Sequence, residues 1–84
     1  MATETSRALR DVAAERATHA DRGWTPNHDR THGVDHLVRL AEHYAHGQGP
    51  AAEVEGVYDR EYLVKAASLL VAAVELMDAI EADR

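Results

Sequence analysis

The sequence has no cysteine, only two prolines and one tryptophan, and no apolar run that approaches the length of a membrane span. Without cysteine, neither a disulfide nor a thiolate metal site can form. The first residues, MATETSRALRDV, carry charges throughout and lack the apolar centre of a signal peptide. We therefore expect neither membrane insertion nor secretion, and a cytoplasmic location.

The length of 84 residues is enough for one small domain over residues 1–84 and excludes a multidomain enzyme. A folded chain of this size buries only about two thirds of its unfolded surface, so its stability depends on help from a metal, disulfides or a partner subunit. The composition, 45% hydrophobic and 29% charged, is typical of a folded globular domain.

Basic residues are scarce: nine Lys and Arg stand against 15 Asp and Glu, for a formal charge of -6. This balance argues against general nucleic-acid binding, which depends on neutralising many phosphates. The acidic excess lies mostly in residues 47–84, whereas all six histidines and six of the arginines lie in residues 1–46. A local Arg/His pocket for a compact anion is therefore compatible with an acidic protein.

Apolar residues recur at helical spacing in three segments, at about residues 5–22, 34–46 and 59–82. Gly23 and Gly47 follow the first two segments as stop signals. Residues 24–33, WTPNHDRTHG, predict a structured loop in which Thr25 and Pro26 favour a short helical turn. The sequence thus predicts an all-α fold, a small three-helix protomer with a long apolar C-terminal helix.

The last predicted helix is apolar nearly all round, with Lys65, Ser68, Glu75 and Asp78 forming a narrow polar stripe. A helix of this kind must be buried on most sides, and two weaker helices are too few to surround it. We therefore predict a homo-oligomeric helical bundle, in which the small residues of this helix allow copies to approach closely. The alternative is a loosely packed three-helix monomer. The small residues are Ala66, Ala67, Ala72 and Ala73.

Polar and aromatic residues concentrate between positions 15 and 32. Glu15, His19 and Arg22 share one helical face that leads to Trp24. Arginine supplies a forked donor for phosphate, and tryptophan supplies a flat surface on which a base stacks. These are the parts of a nucleotide site. The alternative is a core tryptophan beside a solvated charged face.

Three further features admit both a chemical and a structural interpretation. His28, His32 and His36 are spaced by four, as helical metal ligands are, but Gly33 makes a continuous helix through them unfavourable. Lys65 either extends along the surface or contacts a carboxylate or ligand phosphate at a subunit boundary. Glu75 and Asp78 form half of a Mg²⁺ site and lack facing carboxylates.

The motifs ER, GWTPNHDRTH and DREYLVKAASLLVAAVELMD resemble a family of small phage proteins with a GWTxxHDxxH loop and a C-terminal DLVKAxALL helix, sometimes labelled MazG-like. MazG-like proteins are all-α, Mg²⁺-dependent nucleotide pyrophosphohydrolases, but this chain lacks their ExxE pair on the second helix. In its small size and expected oligomeric state, the chain also resembles the phage proteins called sponges, which sequester nucleotide immune signals. The resemblance carries over residues that match the motifs: Glu15, Arg16, Gly23, Trp24, Thr25, His28, Asp29, His32 and Lys65.

We therefore expect a non-enzymatic homo-oligomer that binds and sequesters a nucleotide-derived anion, such as a cyclic ADP-ribose-like molecule or a cyclic nucleotide, in the host cytoplasm if a phage encodes it. A Mg²⁺-dependent pyrophosphohydrolase is one alternative, and a structural or protein-binding adaptor is another. No catalytic residue, metal or cofactor is predicted in the leading interpretation. The predicted ligand-binding residues are Arg16, His19, Trp24, Thr25, His28, Asp29, His32 and Lys65.

Overall fold

The computed structural model describes residues 5–19, 21, 26–47 and 58–83, and for 26–32 the description is limited to the backbone. Within these ranges the chain forms three helices and no strand: α1 (Arg7–Ala17), α2 (Pro26–Gly47) and α3 (Arg60–Ala82). The predicted all-α class and the three helices are confirmed. Among the described helices, none is both long and apolar enough to span a bilayer.

Helix α1 is shorter than predicted. It begins after Ser6, whose hydroxyl accepts a hydrogen bond from the Leu9 amide at 3.1 Å, as an N-cap does. It ends at Ala17 because Thr18 turns the chain and donates its hydroxyl proton to the Glu15 carbonyl at 2.7 Å. The prediction of a helix as far as residue 22 was therefore wrong, and His19 lies in the turn that follows α1.

Helix α2 begins at Pro26, inside the segment that the sequence predicted as a loop. Proline favours the first helical position because its fixed φ suits the helix and it has no amide proton to satisfy. At Gly33 the helix is interrupted, with φ 83° and ψ 168°, a backbone region that glycine alone adopts without strain. His28 and His32 precede this break and His36 follows it. The prediction that no continuous helix carries all three histidines is confirmed.

The core lies between α2 and α3. Leu37 and Leu69 are fully buried at its centre, and each such side chain contributes about 1.5–3 kcal/mol through the hydrophobic effect. At one end, the rings of Tyr44 and Tyr62 meet edge to face with centroids 5.5 Å apart. Among the residues whose side chains the structure describes, seven form the buried apolar core, and four of these are alanines, which let the two helices approach closely. These seven are Leu37, Ala41, Ala66, Leu69, Ala72, Ala73 and Leu76.

The position of the alanines corrects one expectation. Ala66, Ala72 and Ala73 were predicted to face other copies of the chain, but they are buried against α2. Ala67 alone of the predicted set is half-buried outside this core. The close approach that small residues permit is therefore used within the protomer, and the side of α3 that faces away from α2 has larger side chains.

Candidate functional site

The polar stripe of α3 faces α1. Three pairs of residues connect α1 and the turn after it to α3: Asp11 with Arg60, Glu15 with Lys65, and His19 with Ser68. The residue numbers on the two sides of these pairs increase together. Helices α1 and α3 therefore run in the same direction. The interface contains Arg16, His19 and Lys65, which are the predicted ligand-binding residues whose side chains the structure describes.

Arg16 contacts a carboxylate of its own chain. Its Nε donates to Glu75 Oε1 at 2.7 Å, and its side chain is 23% exposed. A charge-assisted hydrogen bond of this length offsets much of the positive charge that a phosphate would meet. The same contact occupies Glu75, one of the two carboxylates of the predicted Mg²⁺ half-site. Asp78 is exposed on α3.

Lys65 also lies beside a carboxylate. Its Nζ is 3.5 Å from Glu15 Oε1, and the two side chains are only 20% and 17% exposed. Of the partners considered from the sequence, a carboxylate or a ligand phosphate at a subunit boundary, the structure places a carboxylate of the same chain there. The pair is sheltered from water, so its charges are screened less than those of surface pairs.

His19 is buried, with 2% of its surface exposed. Its Nε2 lies 3.2 Å from Ser68 Oγ, and that hydroxyl donates to the Lys65 carbonyl oxygen at 2.7 Å. A serine hydroxyl has a single proton, so His19 Nε2 is the donor in the pair. The hydrogen bond between His19 and Ser68 links the turn after α1 to the middle of α3.

The other predicted ligand residues are not placed by the structure. Trp24 and Thr25 lie outside the described residues. His28, Asp29 and His32 belong to the first part of α2, where only the backbone is described. In the described part of the chain, no group of three His, Asp or Glu side chains is arranged to hold a metal ion.

A shallow groove of about 520 Å³ lies between α1 and α3, near the start of α3. Three carboxylates line it, those of Asp11, Glu15 and Glu61, with the guanidinium of Arg60. Asp11 Oδ2 already contacts Arg60 at 2.9 Å. The excess of negative charge makes this groove unfavourable for a phosphate group.

The outer face of α3 points away from both α1 and α2. We use this name for five large apolar side chains of α3 that are 39% to 57% exposed. Leu70, Val71 and Val74 line a shallow apolar depression of about 360 Å³. The usual arrangement is inverted here, because alanines fill much of the core while bulkier side chains meet solvent. The outer face consists of Leu63, Leu70, Val71, Val74 and Met77.

The sequence predicted an apolar surface on this helix and expected four alanines to face other copies of the chain. Three of these alanines lie in the core instead. The alternating spacing of four and three from Leu63 to Met77 identifies four of the exposed residues, which are Leu63, Leu70, Val74 and Met77. A scan against protein-family models, a search of curated proteins and a search of solved structures each found no match for this chain.

Proposed function

We propose that this all-helical protein self-associates, and that its copies pack against one another through the outer face of α3. The observation that carries the proposal is the exposure of five large apolar side chains on one face of a helix whose buried residues are mostly small. Exposed apolar patches on a folded protein often mark interaction sites. Burying each side chain fully is worth about 1.5–3 kcal/mol.

A second copy of the chain fits this face better than an anionic membrane or the segment between α2 and α3. Glu75, Asp78 and Glu81 lie beside the apolar residues, and these acids oppose an anionic lipid surface. Residues 48–57 contain two valines and no larger apolar residue, so this segment has little with which to cover the face. An identical face is apolar over the same length and therefore matches it.

Sedimentation velocity between about 1 and 100 µM tests this proposal. We expect the wild-type chain to sediment as a particle larger than its monomer mass of 9.2 kDa, with the melting temperature rising as protein concentration rises, because association stabilises the folded state by mass action. A folded particle of monomer mass over the whole concentration range would refute self-association.

Sequestration of a nucleotide-derived anion is the second candidate. The observation in its favour is that Arg16, His19 and Lys65 lie along one interface. Arg16 and Lys65 are paired with Glu75 and Glu15, so an anion that binds there has to displace these carboxylates. Hydrolysis by a Mg²⁺-dependent mechanism would require Glu75 to leave Arg16 and bind the metal.

Thermal melting with a panel of linear nucleotides, cyclic oligonucleotides and cyclic ADP-ribose-like compounds tests the second candidate. We expect one class to raise the melting temperature of the wild type and of Glu75→Gln, but not that of Arg16→Gln. Both variants lose the same ion pair, so only the loss of the guanidinium separates them. Chromatography should then recover the ligand unchanged with or without EDTA.

Two results would contradict sequestration. If no compound of the panel changes the melting temperature, the tested compounds are excluded as ligands and the adaptor alternative remains. If a nucleotide is hydrolysed and EDTA abolishes the hydrolysis, the pyrophosphohydrolase alternative is supported. Arg39→Gln serves as a control for the loss of an arginine, because Arg39 is exposed on α2 and paired with Asp35 at 2.8 Å.

A further inference from the structure

The outer face of α3 contains the seam of a coiled coil. Apolar residues follow at alternating intervals of four and three over residues 63–77, which is the a/d pattern of a heptad repeat. The large members of the seam are all strongly exposed, up to 57% for Val74 and Met77. A pattern that directs one helix against another thus lies on the side of α3 that neither α1 nor α2 covers. The seam residues are Leu63, Ala67, Leu70, Val74 and Met77.

The surface of this seam already has the shape that such packing uses. Ala67, Leu70, Val71 and Val74 line the apolar depression of about 360 Å³, together with Glu75. Their positions are i, i+3, i+4 and i+7, the four residues that form a hole for one side chain of a facing helix. The small side chain of Ala67 makes room at one corner.

The next seam position beyond each end is charged, and the two charges are opposite. Arg60 lies seven residues before Ala67, and Glu81 lies seven residues after Val74. In a parallel pair of α3 helices, arginine would face arginine and glutamate would face glutamate. In an antiparallel pair, each Arg60 lies near Glu81 of the second copy. Helix dipoles also favour the antiparallel arrangement, because opposite ends meet.

We propose that two copies of the chain pack their α3 seams against each other in antiparallel orientation, an inference that rests on the self-association proposed above. Leu70 and Val74 lie nearest the two-fold axis, and Arg60 pairs with the second copy's Glu81 at both ends. The contact between Arg60 Nη1 and Asp11 at 2.9 Å is compatible with this pairing, since a guanidinium has five N–H donors.

Distance measurement by double electron–electron resonance tests the orientation. The chain has no cysteine, so Tyr58→Cys can be labelled with a nitroxide at one site, and Tyr58 is exposed just before α3. With about 1.5 Å of rise per residue, antiparallel copies hold the two labels roughly 30 Å or more apart, and parallel copies hold them within roughly 20 Å.

The possible results separate the two proposals. A dominant long distance supports the antiparallel pair. A dominant short distance in a dimeric sample overturns the orientation and leaves self-association standing. An absence of dipolar coupling in a sample that also sediments as a monomer at about 100 µM overturns both.

Charge reversal provides an independent measurement. In the antiparallel pair, Glu81→Arg places two arginines side by side at each end, and we expect the dissociation constant to rise roughly three- to tenfold at low salt. Adding Arg60→Glu should restore it. In a parallel pair Glu81 faces Glu81, so Glu81→Arg only replaces a contact between two acids with a contact between two arginines. A dissociation constant that does not change would therefore contradict the antiparallel arrangement. Glu42→Arg, an exposed change on α2, controls for net charge.

Discussion

Leu69→Ala is expected to lower the free energy of unfolding by about 2–5 kcal/mol, the range for buried leucines that leave a cavity. Leu69 is 2% exposed and packs in the core between α2 and α3. Its core neighbours include several alanines, whose short side chains cannot extend into the space. Total stabilities are only about 5–15 kcal/mol, so this loss should be visible as a large shift in a urea unfolding curve followed by circular dichroism.

The adjacent Leu70 provides the matched control. It is the same residue type on the same helix but 47% exposed on the outer face. Leu70→Ala should cost less than about 1 kcal/mol when both proteins are measured as monomers at low concentration, since about half of its surface is already in water. Equal losses for the two variants would mean that the assignment of inner and outer sides of α3 is wrong.

The boundaries of α3 and the end of α2 were predictable because local signals set them. Asp59 accepts hydrogen bonds from the amides of Glu61 at 2.9 Å and Tyr62 at 3.4 Å, so the helix begins where an N-cap residue precedes an apolar run. Gly47 ends α2 as expected. The end of α1 was not predictable in this way. There the buried hydrogen bond between His19 and Ser68, a tertiary contact, accompanies the turn.

The polar residues of the candidate site were recognised, but their partners were not. Periodicity places Glu15 and His19 on one face of the predicted first helix, and it places Lys65 and Ser68 on one stripe of α3. It does not fix the relative shift of the two helices, which decides whether Lys65 meets a carboxylate or a ligand. The structure places that carboxylate 3.5 Å away. Charges that look available to an anion in the sequence therefore pair within the chain.

The apolar character of α3 was also evident from the sequence, whereas its division into two sides was not. Helix α2 packs against the side where alanines allow a close approach, and it buries Leu69 and Leu76 there. The bulkier Val74 and Met77 remain outside. The composition of α3 indicates only that this helix has more apolar surface than α1 and α2 can cover. Both the expected oligomer and the proposed dimer depend on this uncovered apolar surface.

Val74→Asp is expected to raise the dissociation constant of the self-associated protein at least about 100-fold. Val74 lies at the centre of the proposed seam, where the new carboxylate would lose water without gaining a partner, at a cost of several kcal/mol. In the protomer its side chain is 57% exposed, so the fold should persist. Sedimentation velocity should show the monomer, and the helical circular dichroism spectrum should match that of the wild type at the same temperature.

Leu9→Asp makes the same chemical change at a comparable position outside the seam. Leu9 is 62% exposed on α1, and its replacement should change the dissociation constant by no more than about threefold, since surface substitutions away from an interface have small effects. A Val74→Asp protein that still associates like the wild type would exclude the outer face as the contact surface. Equal dissociation in both variants would show that added charge, and not the loss of the seam, separates the copies.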